Sequence, residues 1–339
     1  MIKEAIGELV KGNHLSREVM TKVMNQIMSG EASEAQIGAF LTALRLKGET
    51  VEEITGAAVV MREKAVKIQA PGECIDTCGT GGDHSLTINI STGAAIVAAA
   101  AGLVVAKHGN RAASSACGSA DVLRALGVNI EAEPRVVERC LAEVGIGFLF
   151  APLLHGAMRY AIGPRREIGI RTIFNLLGPL TNPAGASRQL LGVFDGNLTE
   201  VLALVLHSLG SRAAMVVHGL DGLDEITLTG ATRVSELKNG QIKNYNISPE
   251  DFGLKPCKLD ALRGGDPDHN ARILREVFAD APGPARDAVA LNAGAAIYVG
   301  GKARSLAEGV KAAQEALAAG QARNKLERLI QVSRAPLPA

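Results

Sequence analysis

The chain has no tryptophan, and aromatic residues amount to only 3% of it. An interior built without large rings must be aliphatic, and Ala, Leu, Val and Ile supply it. Charge of one sign is also missing. Formal net charge is +1, with 36 basic against 35 acidic residues, which argues against a nucleic-acid partner held through its phosphates. The longest apolar run, 94–106, falls short of the roughly 20 residues needed to cross a bilayer, so no membrane partner is expected. The opening Met1-Ile2-Lys3-Glu4 is too polar for a signal peptide. Five cysteines, Cys74, Cys78, Cys117, Cys140 and Cys257, are odd in number and irregularly spaced, and no second Cys/His pair completes a zinc set. They read as reduced thiols of a cytoplasmic protein. There is no Gly-x-Ser-x-Gly elbow, no Walker A loop and no cysteine with an adjacent histidine to activate it.

What is present reads as an ordinary globular chain: 339 residues, 47% apolar and 21% charged, enough for two domains. Residues 1–68 carry apolar positions at helical spacing, with Ser16, Ser33 and Thr50 as N-caps and Glu53 closing a capping box after Thr50. They predict a small helical domain, left at Pro71-Gly72. Residues 73–339 alternate short strand-like runs with helices and predict a large α/β domain. Strands are expected at 104–105, 128–130, 148–150, 189–193, 214–217, 225–228 and 297–299. A helical run at 166–177, ended by Gly178-Pro179, breaks the alternation. It is expected to pack back on the first domain, completing it with about 166–182.

The densest chemistry lies in Gly79-Thr80-Gly81-Gly82-Asp83, followed by Thr87 and Asn89-Ile90-Ser91-Thr92. Glycines let a backbone approach an anion closely, and consecutive N–H groups form an anion-binding nest. The apolar run 94–105 behind them reads as a helix that Ser91 or Thr92 can cap and whose N-terminus favours phosphate. A lone glycine cluster is as often a tight turn, but a second cluster follows. Lys107-His108-Gly109-Asn110-Arg111 leads into Ala112-Ala113-Ser114-Ser115, setting two cations around a glycine as a polyanion would need. Alone, such a basic loop is more often solvated surface.

A third cluster, Asp221, Asp224 and Glu225, follows an apolar strand and a glycine turn. Hard oxygens in an incomplete cage suit Mg²⁺, with substrate phosphate filling the rest; a pair of solvated loop acids is the plainer reading. In a fourth, Arg165, Arg166 and Arg171 compete to clamp a carboxylate, and each could equally cover helix surface. Among the scattered histidines, His108 stands apart because it lies within the basic glycine loop.

These strings, with Gly118-Ser119-Ala120-Asp121-Val122-Leu123 and Gly169-Ile170-Arg171-Thr172-Ile173-Phe174-Asn175, keep an order and spacing that is specific only in combination. In that combination the chain resembles the anthranilate phosphoribosyltransferase family over essentially its whole length. The resemblance implies a homodimer with the nucleoside phosphorylase-like fold, a small helical domain beside a large α/β domain with a central mixed sheet. It implies transfer of the phosphoribosyl group of 5-phosphoribosyl 1-diphosphate (PRPP) to the amine of anthranilate, the second step from chorismate to tryptophan, with two Mg²⁺ per chain.

Carried over residue by residue, Gly79, Gly82, Asp83, Thr87 and Asn89, Ile90, Ser91 and Thr92 would hold PRPP, joined by Lys107 to Ser115 and by Ser119. Lys107 would act electrostatically on the leaving pyrophosphate, with no covalent nucleophile. Ser91, Asp224 and Glu225 would ligate Mg²⁺. Asn110 and Arg165 would face anthranilate, with Gly79 at the boundary of the two substrates. The chain departs from the family at Gly156, where proline is usual after the histidine, and at Pro164, where valine is common. Two other readings remain: a nucleoside phosphorylase of the same fold, and a non-catalytic paralogue binding nucleic acid. Association with anthranilate synthase is left open.

Overall fold

A computed structural model describes residues 1–83, 85–112 and 116–337. Four helices open the chain: α1 (Ile2–Val10), α2 (Arg17–Met28), α3 (Glu34–Lys47) and α4 (Val51–Lys64). Ser33 and Thr50 cap α3 and α4, answered by Gln36 and Glu53 in capping boxes. The inner face of α2 buries Met20, Val23, Met24 and Ile27, the three-and-four spacing of one helix face. Glu53 is wholly buried there. Its carboxylate accepts from the Leu15 and Thr50 N–H groups and pairs with Lys47 Nζ at 2.8 Å, so the buried charge is fully answered.

The chain then alternates: β1 (Ile75–Gly79), α5 (Ile90–Ala100), β2 (Val105–Gly109), α6 (Ser119–Leu126), α7 (Pro134–Glu143), β3 (Ile146–Phe150) and α8 (Ala151–Leu154). Two further helices, α9 (Arg159–Ile168) and α10 (Phe174–Leu180), pack back on α3 and α4. After them come β4 (Arg188–Gly192), α11 (Leu198–Ser208), β5 (Ala213–Gly219), β6 (Thr232–Lys238) and β7 (Gln241–Ile247). The chain closes with α12 (Pro267–Phe278), α13 (Pro284–Val299), α14 (Leu306–Ala318) and α15 (Gln321–Arg334).

All seven strands form one mixed sheet in the order β3-β2-β1-β4-β5-β6-β7. The first five run parallel, and β6 and β7 return as an antiparallel hairpin. The sheet separates two aliphatic cores. One is filled by α5, α13 and their neighbours; the other joins the N-terminal helices to α10 and α11. This is a small helical domain beside a large α/β domain, as the sequence led us to expect. No helix among the described residues is long and apolar enough to cross a membrane, and no cysteine pair forms a disulfide.

Several local expectations are corrected. Residues 128–130 are irregular and lead into a turn after α6, and 297–299 finish helix α13. The segment 225–228 is irregular, the backbone of Ile226 paired instead with a side chain of α13. The helical run at 166–177 is two helices, parted where Gly169 takes φ 62° and caps α9. The helix expected over 94–105 spans Ile90–Ala100, so Ser91 and Thr92 lie in its first turn rather than capping it.

Candidate active site

Strand order reverses beside β1, whose neighbours β2 and β4 lead to opposite edges of the sheet. Loops leaving the carboxyl ends of parallel strands diverge there and leave a crevice. A cleft of about 740 Å³ occupies it. Strands β1 and β4 end in Gly79 and Gly192 at this edge. A Cβ on Gly79 would overlap the Asp224 carboxylate, and one on Gly192 would overlap the Asp224 carbonyl oxygen. The absence of both side chains lets the acidic loop lie directly against the strand ends.

The glycine loop and the acidic loop are joined by hydrogen bonds. Gly81 N–H donates to Asp224 Oδ2 at 2.7 Å, and Ser91 N–H donates to Glu225 Oε1 at 3.0 Å. Asp83 accepts from Ser85 N–H and Oγ, an Asx-type turn within the loop. Leu86 sits at φ 53°, a left-handed conformation costly for a branched side chain and held here by the surrounding turn.

Lys107 extends from β2 into this acidic surround and is almost fully buried. Its Nζ donates to Thr77 C=O at 2.6 Å and approaches Ser91 Oγ at 3.4 Å. Burial pushes the Asp224 and Glu225 carboxyls above the usual carboxylate range. Repulsion by Glu225 and Asp83 adds to this at Asp224, while Lys107 opposes it at Glu225. Such a pair favours a cation that would neutralise both. Among the described residues, no three His, Cys, Asp or Glu side chains converge into a complete metal cage. The available set is two carboxylates and the Ser91 hydroxyl, hard donors that leave positions for phosphate oxygens and water, which fits Mg²⁺.

The wall under the basic loop is pinned by buried polar groups. Asp76, wholly buried, accepts from His108 N–H at 3.1 Å and Asn182 Nδ2 at 2.7 Å; burial raises its carboxyl to about 6. Asn182 Nδ2 also donates to Ala106 C=O, so one amide ties β1 to β2. His108 Nε2 faces His155 Nε2 at 3.1 Å, and burial lowers the two rings to about 3 and about 4. Both imidazoles are therefore neutral at pH 7, one donating to the other. Asp121 Oδ2 accepts from both Ala112 and Gly118 N–H at 3.0 Å and fastens the two arms of the basic loop; Ser119 Oγ donates to Asn110 C=O.

Gly79, Gly82, Asp83, Thr87, Asn89, Ile90, Ser91, Thr92, Lys107, His108, Gly109, Asn110, Arg111, Ala112, Ser119, Asp224 and Glu225 all line this one cleft. Ala113, Ser114 and Ser115 lie outside the described residues. Arg165 does not line the cleft. Its guanidinium lies over the Phe174 ring, 5.1 Å from the centroid, one turn before Gly169, which does line it. Of the three competing arginines, Arg171 reaches the cleft, donating to Gly82 C=O and lying 4.2 Å over the Phe194 ring.

Arg263, Gly264 and Gly265 form a further wall that the sequence reading missed. Arg263 pairs with Thr87 in an isolated antiparallel bridge. Asn270, buried on α12, accepts from Gly265 N–H and donates to Asn89 Oδ1, whose amide donates in turn to Cys117 C=O. Only Gly264-Gly265-Asp266-Pro267, a turn with an N-cap and a helix-starting proline, marked this segment in the sequence.

Fold and site together define an α/β protein with its cleft at the switch point of the sheet, and the family models make the class that of a glycosyl transferase. Residues 71–323 match the a/b domain of the glycosyl transferase family, and 3–65 match its helical bundle domain. An anthranilate phosphoribosyltransferase of Syntrophotalea carbinolica is 54% identical, with 98% of this chain and 99% of that protein aligned. The crystal structure of anthranilate phosphoribosyltransferase from Thermus thermophilus superposes with TM-score 0.93 at 47% identity, covering 98% of this chain and 99% of that one. The Saccharomyces cerevisiae enzyme in complex with PRPP and Mg gives 0.89 at 28% identity, covering 98% and 97%. The chain belongs to the anthranilate phosphoribosyltransferase family.

Proposed function

We propose that the cleft transfers the 5-phosphoribosyl group from PRPP to the amine of anthranilate, releasing N-(5-phosphoribosyl)anthranilate and pyrophosphate. The observation that carries this is the convergence of buried Lys107 with the Asp224–Glu225 pair on one glycine-rich cleft. A nucleoside phosphorylase would not require that acid pair. The Thr87 and Asn89–Thr92 segment and the 107–112 arm supply N–H groups, hydroxyls and cations for the phosphates.

Asp224, Glu225 and Ser91 would hold Mg²⁺, two ions per chain. When bound, the metal neutralises the diphosphate and makes it a better leaving group. Lys107 contributes fixed positive charge where the pyrophosphate oxygens gain negative charge as the C1–O bond breaks. The anthranilate amine, already neutral and nucleophilic, attacks C1, and its proton leaves to water. Positioning therefore does most of the work, and no strong general base is needed. Asn110 and Arg165 face anthranilate in this reading. Arg165 meets its carboxylate by turning from Phe174, and Gly79 stands between the substrates.

We further assign 1–68 with about 166–182 to the small domain and 73–339 to the large one, supported by the packing of α10 on α4; α9, which packs on α3, starts earlier, at Arg159. The working form is a cytoplasmic homodimer. Product analysis tests the reaction. Phosphoribosylanthranilate and pyrophosphate should appear in equal amounts, only when PRPP, anthranilate and Mg²⁺ are all supplied. Nucleoside cleavage by inorganic phosphate would instead establish the phosphorylase.

A further inference from the structure

The loop carrying Asp224 and Glu225 has no regular structure, yet it runs through the interior. Leu223 and Ile226, which flank the acids, are each 1% exposed. Backbone groups buried without a ladder need other partners. Asn292 supplies them after the acids. It is wholly buried midway along α13, among Ala288, Val289, Leu291 and Ala293. Its Oδ1 accepts from Ile226 N–H at 3.0 Å, and its Nδ2 donates to Ile226 C=O at 2.9 Å. Nδ2 also donates to Ala288 C=O at 2.9 Å, one turn back on the same helix, which fixes the rotamer. The amide therefore imitates one rung of a strand ladder against the residue next to Glu225.

Asp221 does the corresponding work before the acids. Its Oδ1 accepts from Leu223 N–H at 3.2 Å, and its Oδ2 accepts from Thr227 Oγ1 at 2.7 Å and Thr229 Oγ1 at 2.5 Å. Neither Asn292 nor Asp221 lines the cleft. An asparagine buried in an apolar helix costs stability unless its amide is satisfied, and two of the three hydrogen bonds that satisfy this one go to the backbone of Ile226.

We propose that Asn292 is a positioning residue that sets the Asp224 and Glu225 carboxylates at the separation a divalent cation requires, with Asp221 fixing the other end of the loop. The inference rests on the Mg²⁺ reading of that pair. Groups that orient metal ligands without touching the metal commonly change affinity 10- to 100-fold when removed.

The test uses the full-length protein with Mn²⁺ as probe and pyrophosphate present, free Mn²⁺ being read by electron paramagnetic resonance. Asn292→Leu keeps the volume and removes both hydrogen bonds to Ile226. It should weaken Mn²⁺ binding about tenfold or more. It should also raise the Mg²⁺ concentration for half-maximal turnover by a similar factor, while the KM for anthranilate stays within about twofold. Unchanged Mn²⁺ affinity in folded Asn292→Leu overturns the proposal. If that variant does not fold, Asp221→Ala decides: Asp221 is exposed, and its loss should weaken Mn²⁺ several-fold. Unchanged affinity there overturns the proposal equally. Glu225→Gln separates the two levels. Wild-type affinity in that variant would remove the metal assignment itself and this inference with it.

Discussion

The amide of Ser91 donates to Glu225 Oε1 at 3.0 Å, joining the first turn of α5 to a loop 134 residues away in sequence. The same serine turns its hydroxyl towards Lys107 Nζ at 3.4 Å. One residue thus joins the N-terminal turn of α5, the buried cation and the acidic pair. The helix N-terminus favours the ionised form of Glu225, against the burial that disfavours it.

Asp224→Asn with Glu225→Gln should lower Mg²⁺-dependent turnover by on the order of 10²–10³-fold, measured as kcat at saturating PRPP. The double variant should also melt higher than wild type in chelator. Its parent carries two half-buried carboxylates, that of Asp224 repelled by Glu225, whose raised pKa values destabilise the folded state near neutrality. A lower melting point would contradict this.

Lys107→Met keeps the stem and removes the charge. The cost should fall on kcat, about 10²-fold, because the interaction with pyrophosphate strengthens as the bond breaks. A rise confined to the KM for PRPP would mean that Lys107 binds the ground state only.

Asn270→Ala should raise the KM for PRPP about tenfold and leave kcat within a few-fold. It unties Asn89 and Gly265 on the PRPP side without touching Lys107 or the acids. Arg165→Ala should show the complementary pattern: anthranilate KM up about tenfold or more and PRPP KM unchanged. Initial-rate kinetics with each substrate varied distinguishes the two.

His108 and His155 make stability depend on acid. Their folded pKa values, about 3 and about 4, lie below the ordinary histidine value of about 6.5. The unfolded chain therefore binds more protons between these values, and stability falls as pH drops from 6.5 towards 4. Above 6.5 the effect is absent. Urea midpoints across that range should show the slope, and His155→Gln should make it shallower, because one of the two neutral rings is gone. An equal slope in the variant would contradict the assignment.

The sequence displayed the residues that line the cleft because they fall in short strings of glycines, hydroxyls and cations, such as Gly79 to Asp83 and Lys107 to Arg111. The capped helices of the first domain were legible for the same reason, since the Ser33 cap and the Thr50–Glu53 box act within one turn. Contacts made across the fold were not. Asn270 and Asn292 look like ordinary polar residues of helices, and only the packing of α12 and α13 brings them against Asn89 and Ile226. The run Glu225-Ile226-Thr227-Leu228 reads as a strand because polar and apolar residues alternate, but its backbone finds separate partners: Asn292 of α13 for Ile226, Thr232 for Thr227 and Cys257 for Leu228.

The most direct test of the whole account follows anthranilate fluorescence with purified protein, PRPP and Mg²⁺, beside controls lacking PRPP or metal and beside the Asp224→Asn, Glu225→Gln double variant. The account predicts loss of fluorescence that requires both PRPP and Mg²⁺ and is nearly absent in the double variant. Unchanged fluorescence with folded wild-type protein, or equal decay in the variant, would contradict it.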